Sequence, residues 1–160
     1  ADYARPSFPP GRALLAATAD LVARIHRDFG YDPAATEVDT PLLTVLAQRR
    51  GVCQDFAHLA TGCLRAMGLA ARYVSGYLCT EPPPGEPRLA GADASHAWFA
   101  VWCPEHGWVE FDPTNNCEVD ERFVLVAWGR DFGDVSPLRG IIRGGGEHTL
   151  AVAVTVQPQH

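Results

Sequence analysis

One of the five cysteines in this 160-residue chain stands apart by its position. Cys53 follows Arg49-Arg50-Gly51-Val52 and precedes Gln54-Asp55-Phe56, where a glycine-broken loop becomes the first turn of an apolar-periodic segment. The free N–H groups and macrodipole at a helix start favour an anion, and so the thiolate, the nucleophilic form of cysteine. Taken alone, such a residue is more often a small core side chain. Chemistry needs partners. A thiolate attacking a carbonyl requires a base, and later an acid for the leaving group, commonly a histidine held by a third residue.

Six histidines compete for that role. His58 lies five residues beyond Cys53 on the same helical segment, about 140° around it at 100° per residue, so it cannot turn back to the thiol. His106 falls at a predicted turn tip, His26 on a polar helix face and His160 at the chain end, while His148 precedes an expected last strand and stays open. His96 stands at the head of the apolar strand Ser95 to Cys103, just before Ala97 and Trp98, where a fixed imidazole could project from a sheet edge.

The third member is sought near the end of the partner strand. If the hairpin loop has an odd residue count, such as Pro104 to His106, Asp112 pairs across from Trp98 and shares a face with His96 as a diagonal neighbour. A two-residue loop would separate them. Asp93 would point away from His96 on a straight strand. Asn115 is an alternative, since some cysteine sites use Asn in this position. Asp112-Pro113-Thr114-Asn115 also fits a plain strand-ending turn.

The elements that must hold these residues are legible from periodicity. Arg12 to Phe29 has apolar residues at helical spacing and ends at Gly30. Thr40-Pro41 offers an N-cap and a first-turn proline for a short helix through Gln48, which Gly51 breaks. Cys53 to Met67 is the second strong helix, stopped by Gly68. Ala71 to Leu78 reads as a strand, and residues 80–94, rich in Pro and Gly, as a surface loop. The period then becomes two: Ser95 to Cys103 and Trp108 to Phe111 form paired strands, followed by strands at Phe123 to Trp128 and Thr149 to Val156. Helices first and strands after predict an α+β domain with N-terminal helices packed on an antiparallel sheet. One domain over residues 1–160 is expected, with 1–11 a linker or the stub of a preceding region.

Composition narrows the classes. A hydrophobic fraction of 47% supports a real core. The net charge of −6, with no basic concentration, argues against a nucleic-acid binder. No apolar run reaches the roughly 18 residues of a membrane span. All thirteen basic residues are Arg, so P-loop, Schiff-base and Ser-Lys chemistries are excluded for want of an ammonium group. An odd cysteine count without a CxxC pair argues against a disulfide framework or a zinc site and suits a reducing cytoplasm. No cofactor or metal is expected.

Four blocks resemble the transglutaminase-like superfamily: Gly51-Val52-Cys53-Gln54-Asp55-Phe56-Ala57, the run Leu64 to Val74, Ser95-His96-Ala97-Trp98, and Gly107 to Thr114. They span roughly Phe29 to Asn116. The run Gly85 to Trp98 and the tail from Gly129 to Val156 further resemble bacterial transglutaminase-like proteins. The resemblance implies a papain/transglutaminase-like core in which Cys53 attacks an amide or ester carbonyl, His96 is the base and Asp112 orients it. Departures are equally plain. Animal transglutaminases carry an aromatic residue after Gly-Gln-Cys, along with calcium sites and flanking β-domains, none of which appears here. No tryptophan precedes Trp98 to stabilise an oxyanion. Tyr31 is the aromatic candidate by position, with the Cys53 N–H as a second donor.

Other residues read more plainly. Asp55 fits a capping role, Arg72 an ion pair, and Gly144 to Gly146 a flexible turn. The Tyr73, Ser75, Tyr77 face could line a groove or pack on the sheet. The resulting expectation is a cysteine peptidase or amidase acting on a peptide, isopeptide or other amide, with amine transamidation as runner-up and a non-catalytic binding module as the rival class. Arylamine acetyltransferases share only the Cys, His, Asp order and an Arg-Gly before the cysteine.

Overall fold

Alanine and leucine at core-facing positions make the two long helices. The computed structural model describes residues 1–79, 95–136, 140, 144 and 153–156. Helix α1 spans Leu14–Asp28 and buries Ala17, Leu21, Val22 and Ile25. Helix α3 spans Cys53–Ala66 and buries Phe56, Ala57, Leu59, Ala60, Cys63 and Leu64. Its end is a Schellman turn: Gly68 takes φ +81, Leu69 N–H donates to the Leu64 carbonyl and Gly68 N–H to that of Arg65. Between the two helices lie β1 (Gly30–Tyr31), α2 (Leu42–Gln48) and β2 (Arg50–Gly51).

Five strands follow: β3 (Ala71–Leu78), β4 (Ser95–Cys103), β5 (Gly107–Asp112), β6 (Cys117–Glu118) and β7 (Phe123–Gly129), with the short helix α4 (Phe132–Val135) after them. They form one sheet in the order β6-β5-β4-β3-β7, every neighbouring pair antiparallel. Alternation splits β4 between two layers. Phe99 and Val101 join Phe111 and the buried faces of α1 and α3 in the main core. Trp98 and Ala100 pack with Val74, Val119 and Phe123 on the opposite side. Full burial of each large apolar side chain contributes roughly 1.5–3 kcal/mol, so a doubly covered β4 is the firmest base available for a site. A β-bulge between Ser75 and Gly76 bends β3 against β7, and a Cβ at Gly76 would overlap the Val124 carbonyl and the Trp98 ring.

The α+β architecture is therefore as the sequence indicates, with local differences. Helix α1 begins at Leu14 rather than Arg12. Helix α2 begins after Pro41, because Thr40 Oγ1 accepts from the Glu37 N–H instead of capping the helix. Ala1 to Phe8 packs onto the body of the fold, not away from it as a linker. Arg5–Ser7 forms a 3-10 turn, Ala4 and Ser7 are fully buried, and Tyr3 donates to Asp28. Strands β1, β2 and β6 and helix α4 carried no periodic signal. Of the strand expected at Thr149 to Val156, only residues 153–156 are described, with Val154 in an isolated bridge. The expected loop 80–94, Asp93, Gly145-Gly146, His148 and His160 lie outside the described residues. Among the described residues no helix is long and apolar enough to cross a membrane.

Candidate active site

The start of α3 is fixed by a knot of short-range bonds. Strand β1 pairs in parallel with β2, placing Gly30 beside Arg50 and Tyr31 beside Gly51. Asp32 N–H donates to the Gly51 carbonyl at 2.9 Å. Arg49, in the left-handed region at φ 56, turns the chain out of α2. Asp55, nearly fully buried, accepts from the Val52 N–H at 2.8 Å and from Thr36 Oγ1 at 2.7 Å. It caps the helix as expected. A Cβ on Gly51 would come within 2.5 Å of the Asp55 carboxylate, so only glycine fits that approach. Cys53 is thereby held at the first helical position with its thiol half-buried.

Strands β4 and β5 supply the partners. Their register runs from Cys103 opposite Gly107 to Phe99 opposite Phe111, so the connection is the odd-numbered Pro104 to His106. One further step sets Asp112 opposite Trp98 and on the same face as His96. His96 Nε2 and Asp112 Oδ2 lie 2.7 Å apart. Asp112 is 0% exposed. Its Oδ1 accepts from the Thr114 N–H at 2.8 Å and more weakly from the Asn115 N–H at 3.3 Å. Asn115 Nδ2 donates to Oδ2 at 2.6 Å and reaches His96 Nε2 only at 3.5 Å. The carboxylate holds the imidazole, and Asn115 braces the carboxylate.

The electrostatics follow from this geometry. Burial alone would depress the His96 imidazole, but hydrogen bonds to Asp112 and Cys53 and the charges of both outweigh it and raise its pKa to about 9. Burial likewise works against an ionised Asp112. The His96 bond and charge, then Asn115 and the Thr114 N–H, reverse that and hold the carboxyl below its ordinary range. With Nε2 taken by Asp112, the ring nitrogen left to face Cys53 is Nδ1. The ring lies beside the Trp98 and Phe123 pair, its centroid 6.0 Å from each, while those two rings are 5.3 Å apart.

A cleft of about 400 Å³ opens over these groups, lined by Tyr31, Cys53, Leu78, His96, Thr114 and Asn115. Tyr31 is 60% exposed, brought beside Cys53 by the β1–β2 pairing. Partial burial, then a Cys53 charge, raises its hydroxyl pKa and keeps it a donor. The other candidates sit elsewhere. His58 Nε2 accepts from the Phe132 N–H at 3.1 Å and its ring lies on Tyr73. His26 Nδ1 is 2.9 Å from the Thr114 carbonyl oxygen. Tyr73 is buried and packs with Ala57, Ala97 and Val135 rather than lining a groove. Arg72 pairs with Glu110 at 3.5 Å and stacks between the Trp108 and Trp128 rings.

Two contributors escaped the sequence reading. Trp98 shelves the imidazole and anchors itself through Nε1–H to Glu110 Oε2 at 2.8 Å. Its place two residues beyond His96 on one strand face was the available signal. Phe123, on a strand distant in sequence, offered none.

A cysteine opening a helix that packs on an antiparallel sheet, with a histidine and an aspartate on adjacent strands, is the arrangement of the papain- and transglutaminase-like core. The chain belongs to the transglutaminase-like superfamily, whose family profile matches residues 6–113. An uncharacterized protein of Mycobacterium tuberculosis is 51% identical over 98% of this chain and 52% of its own length. A protein-glutamine gamma-glutamyltransferase of Pseudomonas aeruginosa is 37% identical over 71% of this chain and 17% of its own. Among solved structures, a candidate cysteine protease from Cytophaga hutchinsonii superposes with a TM-score of 0.70 at 27% identity, covering 84% of this chain and 43% of that one. The periplasmic domain of TgpA from Pseudomonas aeruginosa bound to ethylmercury gives 0.51 at 32% identity, covering 72% and 42%. The chain spans about half the length of the mycobacterial relatives it matches.

Proposed function

We propose that this chain catalyses acyl transfer through a thioester on Cys53, with water as the acceptor, making it a peptidase or amidase. The observation that carries the reading is a cleft lined by both Cys53 and His96, with the imidazole held by a 2.7 Å bond to the fully buried Asp112 carboxylate. In the first half-reaction Cys53 Sγ bonds to the carbonyl carbon of an amide. The C–N bond breaks, and the leaving amine takes a proton from His96. In the second, His96 takes a proton from water, the hydroxide attacks the thioester, and the carboxylic acid departs as the thiol is restored. Asp112 fixes the imidazole orientation and stabilises its charged form. The Cys53 N–H and the Tyr31 hydroxyl, both at the cleft, serve as donors to the developing oxyanion in this reading.

Transamidation is the second reading, favoured by the name of the Pseudomonas relative. In that case a bound primary amine replaces water in the second step, which requires binding to position it against solvent. The test is a fluorogenic peptide and isopeptide screen of the chain beside its Cys53→Ala variant, repeated with excess primary amine. A carboxylic acid product fits hydrolysis. A dominant amide product assigns transamidation, and turnover retained by Cys53→Ala removes the thioester altogether.

A further inference from the structure

The β4–β5 hairpin has a second group of chemically capable side chains, at the end opposite His96. Seven residues separate His96 from Cys103, about 24 Å along an extended strand. There the turn Cys103-Pro104-Glu105-His106 brings a cysteine sulfur, a carboxylate oxygen and an imidazole nitrogen within 4.8 Å of one another. Cys103 is buried and fixed by its pairing with Gly107, and the turn is closed by the His106 N–H to Cys103 carbonyl bond at 3.1 Å. Gly107, at φ +76, lets the chain reverse immediately afterwards. Glu105 and His106 are exposed, and among the described residues no hydrogen bond or ion pair engages either side chain.

We propose that this hairpin tip binds a zinc ion through Cys103 Sγ, the Glu105 carboxylate and a ring nitrogen of His106. Zinc accepts sulfur, nitrogen and oxygen donors together, and three protein ligands leave its fourth position to water. Bond lengths of about 2.0–2.3 Å around a tetrahedral centre set neighbouring donors roughly 3.5 Å apart. The donors must therefore close in by about 1 Å, which two exposed side chains achieve by rotation about their own bonds while Cys103 stays in place. Hard cations such as calcium and magnesium prefer all-oxygen cages and are excluded by the thiolate and imidazole. The ion ties the end of β4 to the turn that follows it and takes no part in chemistry at the far end of the strand.

The experiment is zinc chloride titration of the reduced Cys53→Ala chain, which removes the candidate active-site thiol as a competing ligand. One ion per chain is expected, with a micromolar dissociation constant and a rise in Tm of about 5 °C at saturation. Glu105→Gln and His106→Gln, both on exposed side chains, should each weaken binding roughly tenfold or more. Cobalt should show a thiolate charge-transfer band in the near ultraviolet that Cys103→Ser abolishes. No uptake of zinc, or uptake undiminished in the Glu105→Gln/His106→Gln double variant, overturns the proposal.

Discussion

His58 and His96 are both substantially buried and both lie near aromatic rings, one on α3 and the other on the strand β4 that packs against it, yet their environments push them in opposite directions. Around His58, burial dominates and lowers the pKa. Its Nε2 accepts a backbone N–H from Phe132, a bond that only a ring nitrogen without a proton can make. Around His96 a buried carboxylate 2.7 Å away outweighs a similar penalty and raises the pKa to about 9. One imidazole is a neutral structural acceptor that holds α4 against α3. The other is a charged group facing a thiol. Proximity to Cys53 along the chain is thus a poor guide to chemistry, because the helix turns His58 away while the sheet brings His96 back.

The largest expected effect separates the pair by rate. His96→Ala should lower kcat by about 10⁴-fold or more, whereas His58→Gln, which keeps an acceptor for the Phe132 N–H, should leave kcat within about twofold. Steady-state kinetics on one amide substrate decide it. Comparable losses in both variants would erase the distinction. Next, Asp112→Asn should reduce kcat by about 10⁴-fold, the scale found when an orienting carboxylate is lost. It should also lower the His96 titration, read by NMR, from about 9, since only Cys53 then opposes the burial that depresses the ring. An unmoved titration would show that Asp112 does not charge the imidazole.

A pH series sharpens the same contrast. As pH rises through about 9, His96 loses the proton needed by the leaving amine, so amide turnover should fall about tenfold per further unit. Alkylation of Cys53 by iodoacetamide, which needs no acid, should continue. Stability follows the same sign: the folded value exceeds the ordinary one, so the contribution of this pair is complete below about 6.5 and is lost as pH rises through about 9. The Asp112 part is complete above about 3.8 and is lost as pH falls through its lowered folded value. Melting curves from about pH 6 to 10 should show an alkaline fall that Asp112→Asn lacks. The smallest effect falls on His58. His58→Leu leaves the Phe132 N–H without its partner and should cost about 1–3 kcal/mol, a few degrees of Tm, with kcat nearly unchanged.

These residues also show which parts of the molecule were legible in the sequence. The apolar spacing of Leu21, Val22, Ile25 and of Phe56, Ala60, Leu64 reports helices directly, and the alternation in Ser95 to Cys103 reports a strand. The placement of Asp112 rested on loop parity, and the three-residue connection Pro104 to His106 decides that in favour of Asp112 over an opposite-face arrangement. Asn115 was readable as a polar turn residue, but its contact with the carboxylate rather than chiefly with the ring depends on the turn geometry at Asn116, which adopts a positive φ of 54. Two-residue strands such as β1 and β2 are too short to have a period, so the means by which Tyr31 reaches Cys53 was hidden. The burial of Ala4 depends on α1 and α2 being in place. The Cys103, Glu105, His106 group lacks the paired-ligand spacing that marks a zinc site in sequence and became visible only once the turn was folded.

The central claim is that Cys53 carries the acyl group, and it can be observed directly. The chain is mixed with an activated ester, quenched in acid within the first turnover and mapped by peptide mass spectrometry. The account predicts one acyl adduct, on Cys53, that disappears on standing at neutral pH and accumulates in His96→Ala if it forms there at all. Cys63 and Cys117, whose thiols burial pushes up, should remain free. An adduct on Cys79, Cys103 or Cys117 with Cys53 unmodified, or turnover without any adduct in a quench fast enough to capture it, would contradict the account.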